Sequence, residues 1–171
     1  MITFVQTLIS GLSLGSIYAL IALGYTMVYG IAKMLNFAHG DIIMVGAYAV
    51  IVAVMQLSLP PVIAILISII VCAVLGVVIE RLAYKPLRQA QPLTVLITAI
   101  GVSYLLQNVA LLIFGSEQKA FPTILKLPAI KLGQVTIDGI TLVTLGVTAI
   151  IMIALTLFIN KTKLGKAMRA V

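Results

Sequence analysis

Tryptophan is absent from the 171 residues, cysteine and histidine occur once each, and only four residues are acidic. The lone Cys72 lies in the middle of an apolar run. It cannot close an intrachain disulfide and is read as a small buried side chain. A single histidine leaves no HExxH pair, no cysteine pair supplies metal ligands, and no GxxxxGK[ST] phosphate loop is present. The chain therefore encodes neither a metal enzyme nor an ATPase, and it requires no cofactor or metal of its own. Charge is also scarce. Charged residues make up 9% of the chain and hydrophobic ones 63%, against roughly 25% and 45 to 50% in soluble domains, which excludes a soluble monomer.

What is abundant is long apolar sequence. Uncharged stretches occupy residues 1–32, 42–79, 89–116 and 139–160, each longer than the ~20 residues that cross a bilayer. The net charge of +7 does not indicate a nucleic-acid partner, because the lysines and arginines sit in short segments between apolar spans rather than along a solvated face. The first 32 residues lack a basic leader and are too long for a signal-peptide core, so they are read as a retained span.

Residues 42–79 would form a helix of about 57 Å, roughly twice the hydrocarbon thickness. Leu59-Pro60-Pro61 supplies the reversal, since neither proline has a backbone N–H and each pushes its predecessor out of the α region. The expected architecture is all-α: a polytopic membrane helix bundle forming one transmembrane domain, with spans near 7–30, 42–58, 62–79, 93–114 and 139–159. Basic residues resist translocation. The segment from Glu80 to Arg88, with Arg81, Lys85 and Arg88, and the C-terminal segment, with Lys161, Lys163, Lys166 and Arg169, are therefore expected in the cytoplasm. Counting spans from these places residues 115–138 and the N-terminus outside. Small residues at spacing four (Gly11, Gly15 and Ala19; Cys72 and Gly76, continuing to Glu80) mark faces where helices approach closely.

Two polar groups stand out. Asn36-Phe37-Ala38-His39-Gly40-Asp41 lies between apolar runs, and a second span starting after Asp41 has only ~17 residues, the lower limit for crossing. Asn36, His39 and Gly40 at i, i+3 and i+4 would share one helix face. Asn36 could also cap a helix whose positive end meets an anionic substrate group. From spacing alone, a solvated cytoplasmic turn is the simpler reading. A break between two helix pieces inside the membrane is the other. Gln107 and Asn108 inside the fourth span must face the bundle or an aqueous path, because an amide in lipid leaves its donors unpaired. Hydrogen bonding between helices is the plain reading, and a pore-facing strip of Gly101, Tyr104 and Asn108 the sharper one. The tyrosines are read as packing and interface anchors.

The run from Gly24 to Ile31, followed by Leu35-Asn36-Phe37-Ala38-His39-Gly40-Asp41 and Gly46-Ala47-Tyr48, resembles the first signature of bacterial branched-chain amino-acid ABC transporter permeases. Glu80-Arg81-Leu82-Ala83-Tyr84-Lys85-Pro86-Leu87-Arg88, Ile97 to Ser103 with Leu106-Gln107-Asn108, and Thr162 to Ala170 are similar to later segments of that family, in the same order. The resemblance implies an importer subunit that works with ABC ATPase subunits, a second permease subunit in a heterodimer, and an external substrate-binding protein, all at the plasma membrane of a bacterium. It places Asn36, Phe37, His39, Gly40 and Asp41, with Gln107 and Asn108, on the substrate path. Arg81, Lys85, Arg88, Lys163, Lys166 and Arg169 fall on the ATPase side. Family members continue beyond the position of Val171, so the chain is expected to be the N-terminal part of such a permease. Permeases for urea and short-chain amides carry a similar element, often with glutamate where Asp41 stands, and Asp41 favours amino acids. An ion-coupled transporter or channel using His39 and Asp41, or a membrane scaffold, are the alternatives outside this class.

Overall fold

The computed structural model describes residues 2–32, 36–121, 128, 130–132 and 135–162. Five helices dominate it: α1 (Ile2–Ala32), α2 (His39–Ile51), α3 (Pro61–Ile79), α4 (Pro92–Phe114) and α5 (Gly139–Lys161). All five, counting the π-helical continuation of α2, are long and apolar enough to cross a membrane. Their large apolar side chains point outward, as with Leu112 at 85% exposure. Such a surface suits lipid and would aggregate in water. The chain is a multi-pass membrane protein.

Prolines set the starts of α3 and α4. Pro61 and Pro92 each occupy the first helical position, after extended residues Pro60 and Gln91, where the missing N–H costs nothing and φ is already helical. Ser58 closes the turn before Pro60 with φ 51°, the left-handed geometry common just past a helix end. Gly115 ends α4 at φ 78°, ψ 177°, a region essentially reserved for glycine.

Three features differ from the expected spans. First, α2 starts at His39, ahead of the expected 42, and runs on as a π-helix over Val52–Gln56. Second, α3 does not stop at Ile79. It continues as a π-helix (Glu80–Tyr84) and a short 3₁₀ turn (Lys85–Leu87), so the segment expected as a cytoplasmic loop is largely helical. Third, residues 115–138 contain a small antiparallel hairpin of β1 (Ile130–Leu132) and β2 (Val135–Ile137), with Ile130 opposite Ile137 and Lys131 opposite Thr136.

The helices fall into two compact groups. In one, α1 packs along α5 and touches β2. The C-terminal halves of the two helices lie side by side and frame a shallow apolar groove of about 230 Å³ that includes Met27, Gly30 and Ile159. They therefore run parallel. In the other group, α2 packs on α3 and α4. Val50, Ala53 and Ala64 form its small core, with Val54, Leu59 and Ile67 against it.

The small-residue faces behave differently from expectation. A Cβ built on Gly11, Gly15 or Gly76 meets nothing within 4 Å, whereas at Gly46 it would stand 2.7 Å from Cys72 Sγ and 3.1 Å from Ser68 Oγ. Among the described glycines, the close approach between helices is at α2 and α3, through Gly46. Cys72 takes part in it from the other side, while Gly76 does not.

Candidate functional site: the interrupted start of α2

Two contacts fix how α2 lies on α4. Gln107 Nε2 donates to Asp41 Oδ1 at 3.1 Å, and seven residues later on both helices Tyr48 stacks on Phe114, with ring centroids 4.0 Å apart and planes 4° from parallel. Equal steps in the same sense mean that the two helices run parallel. Two more contacts fix α3 as antiparallel to α2: Ser68 Oγ donates to the Gly46 carbonyl at 2.8 Å, and Cys72 Sγ to that of Ile42 at 3.5 Å.

These registers locate the start of α2. Asp41 sits beside Gln107, fifteen residues (92 to 107) into the 23-residue α4. At 1.5 Å per residue, α2 begins roughly 20 Å along α4. The α3 rod likewise runs on past Cys72 to Tyr84, roughly 15 Å beyond the level of Ile42. The start of α2 is thus flanked by two helices that continue past it. It lies within the depth of the group rather than at its edge.

Asn36, Phe37 and Ala38 are not helical, so Asn36 shares no helix face with His39 and Gly40, contrary to the spacing argument. Nor is Asn36 the capping residue, which is Ala38. Its carboxamide oxygen instead accepts from the Ala38 N–H at 3.1 Å, closing an Asx turn, and from the Tyr84 hydroxyl at 2.8 Å. The His39 N–H donates to the Asn36 carbonyl at 3.2 Å. Asn36 therefore shapes the entry to α2 and ties it to the extension of α3. The π-helix of Glu80–Tyr84 contributes to this tie, since an extra residue in the turn re-aims the side chains that follow.

Asp41 lies in the first turn of α2 and is 8% exposed. Its carboxylate opposes the positive end of the helix, and Gln107 supplies a partner from another helix. Gln107 is also held by the Ser103 hydroxyl at 3.1 Å. The two polar groups singled out in the sequence thus meet, but through one amide only. Asn108 donates to the Tyr104 carbonyl of its own helix at 2.7 Å. Gly101, Tyr104 and Asn108 are exposed, and of the two adjacent amides it is Gln107 that makes the bond between helices, the plainer of the two readings. Phe37 and Gly40 are exposed, and His39 is partly buried.

Beside Gln107, between α2, α4 and the segment after α4, lies an open cavity of about 580 Å³. Met44, Ala47, Ile51, Ala110 and Leu111 give it an apolar wall, and Glu117, Gln118 and Lys119 also line it. Lys119 Nζ is 5.7 Å from the centre of the Phe114 ring. Sequence reasoning missed this cavity. It also missed the pairing of Tyr84 with Asn36 and of Gln107 with Asp41, because these partners lie 48 and 66 residues apart and no local pattern records such distances.

On the side expected to meet an ATPase, Arg88 forms an ion pair with Glu80 at 2.6 Å, both side chains well exposed. Arg81 and Lys85 are exposed. Lys163, Lys166 and Arg169 lie outside the described residues.

Residues 7–171 match the family model for the permease component of branched-chain amino acid transport systems. The chain belongs to this permease family. It is 43% identical to the high-affinity branched-chain amino acid transport system permease protein BraD of Pseudomonas aeruginosa and 38% identical to the corresponding LivH of Escherichia coli K12, in each case over 98% of this chain and 58% of the relative. A probable LivH of Methanocaldococcus jannaschii is 28% identical over 91% of this chain and 50% of that protein. The chain spans under three-fifths of the length of the relatives it matches. No solved structure matches it.

Proposed function

We propose that this chain is a membrane-spanning part of a permease that carries branched-chain amino acids into the cytoplasm of a bacterium, as one subunit of an ABC importer. ATPase subunits drive it, a second permease subunit completes the pore, and an external substrate-binding protein delivers the substrate. The observation that carries this reading is the start of α2 part-way along its neighbours, its Asn36 and Asp41 each tied to a different helix, in a chain of this family. Helix starts inside the membrane are tolerable only where their N–H groups meet protein, water or substrate. They are a recurrent way of receiving anionic substrate groups.

The cytoplasm holds residues 80–92 and 160–171, and residues 115–138 and the N-terminus face outward. The charge pattern supports this. The helix directions within each group, α2 parallel to α4, α2 antiparallel to α3 and α1 parallel to α5, agree with alternating crossings in either orientation, so the sidedness rests on the charge pattern. Cysteine labelling at position 119 in a Cys72→Ser background tests it. Labelling from the cytoplasmic side alone overturns the orientation.

The function is tested by reconstituting the complete permease with its partners in liposomes. ATP-dependent uptake of radiolabelled leucine is expected, falling when Asn36 is replaced by alanine. Uptake of urea without leucine refutes the substrate class. Uptake that collapses with the proton gradient and survives ATP depletion refutes the ABC mechanism.

A further inference from the structure

The cavity beside Gln107 is lined by residues of both charge signs. Glu117 and Lys119 both line it, yet among the described residues the ion pair within 4 Å is Arg88–Glu80. The ammonium of Lys119 lies instead over the Phe114 ring, and that ring is fixed by its stack on Tyr48. The rest of the lining is largely apolar, with Met44, Ala47, Ile51, Ala110 and Leu111, and Gln107 adds a polar residue to it. A volume of about 580 Å³ is within the ordinary range for small-molecule sites, roughly 300 to 1,000 Å³.

Resting on the permease reading above, we propose that this cavity is a receiving site for the substrate. It takes an α-amino acid with its carboxylate toward Lys119, its ammonium toward Glu117 and its branched side chain against Met44, Ile51 and Leu111. An acid and a base that share a cavity but not an ion pair are complementary to a molecule bearing both charges on adjacent atoms, whereas a purely anionic or cationic solute would leave one of them opposed by nothing. The apolar wall then selects aliphatic side chains over polar ones. Gln107 lines the cavity and also holds Asp41, so the site is tied to the start of α2 through that one side chain.

The test uses the complete permease assembled with its partner subunits and a leucine analogue carrying a diazirine on its side chain. Photolabelling is expected on the α2 and α4 peptides containing Met44, Ile51 or Leu111, with displacement by excess leucine. Lys119→Gln and Glu117→Gln should each weaken labelling by about two- to fivefold, the yield of one solvent-exposed charge pair, and Lys119→Arg should restore it. Both positions are exposed, so these variants leave folding intact. Labelling confined to other helices overturns the proposal, as does labelling indifferent to both charges. If the charge variants instead abolish capture of the substrate-binding protein while photolabelling of the permease persists, the two charges belong to a protein-docking surface and the proposal fails. Leucine uptake by the unmodified assembly with labels elsewhere refutes this site alone. Failure of that assembly to transport leucine removes the underlying reading as well.

Discussion

The two groups of helices face the same problem, polar side chains within apolar helices, and solve it differently. On α1 and α5, Thr7, Ser16, Thr26, Thr144 and Thr156 each return their hydroxyl to a carbonyl three or four residues earlier in the same helix. Such bonds satisfy the donor and say nothing about a neighbour. In the group of α2, α3 and α4, Ser68, Cys72, Tyr84 and Gln107 reach across to another element. Those bonds fix register. The glycines repeat the contrast, with Gly11 and Gly15 facing open space and Gly46 sitting under Cys72 and Ser68. Association without a hydrophobic drive depends on close packing and on bonds between helices, and α2 to α4 have both.

The largest expected effect breaks the α2–α3 seam. Gly46→Leu should cost about 3 kcal/mol, the upper end for overpacking, read as loss of resistance to SDS in mixed micelles. Gly15→Leu should change stability by less than about 0.5 kcal/mol. A loss at Gly15 as large as at Gly46 would mean that α1 has a partner on that face and would erase the contrast.

Gln107→Leu comes next. Asp41 is buried and would lose its cross-helix donor, at a cost of about 1 to 3 kcal/mol, whereas Asn108→Leu removes only a bond within its own helix and should cost under about 0.5 kcal/mol. Equal effects in the same unfolding assay would show that adjacency in sequence, not the bond to Asp41, decides. Tyr84→Phe should then cost about 1 kcal/mol, the net worth of one hydrogen bond, and slow leucine uptake by freeing the entry to α2. Unchanged uptake would reduce Tyr84 to a packing residue.

The smallest effect has the opposite sign. Thr148 on α5 is 5% exposed, and its hydroxyl has no partner among the described residues. Thr148→Val should stabilise the chain by about 0.5 to 1 kcal/mol, since a buried unmade bond carries a desolvation penalty. Destabilisation would show that a donor or acceptor reaches Thr148 in the assembled permease.

Hydropathy and proline placement were enough to read the five helices and the turn at Leu59-Pro60-Pro61, because crossing a bilayer demands a length of apolar chain and prolines stop it. They were not enough to read azimuth. A helix between lipid and apolar neighbours is hydrophobic all round, so nothing in its periodicity distinguishes Gly15 from Gly46. The segment around Asn36 was legible as unusual, since a carboxylate, an imidazole and an amide rarely stand together between apolar runs. Its anchoring was not legible, because Tyr84 and Gln107 become its neighbours only when α3 and α4 fold back on α2. The π-helical turns escaped for a related reason: a wider helical turn is set by the contacts on either side of it and leaves no signature in composition.

The chain's single thiol occupies the α2–α3 seam, with Cys72 Sγ directed at the Ile42 carbonyl and placed where any side chain larger than hydrogen at position 46 would stand. The protein therefore carries its own reporter. Cys72 is partly buried where α2 rests on α3, and a separation of the two helices would uncover it further. The rate of alkylation by a membrane-permeant maleimide, followed with and without ATP, is a direct readout of that separation in the native sequence, with no engineered probe.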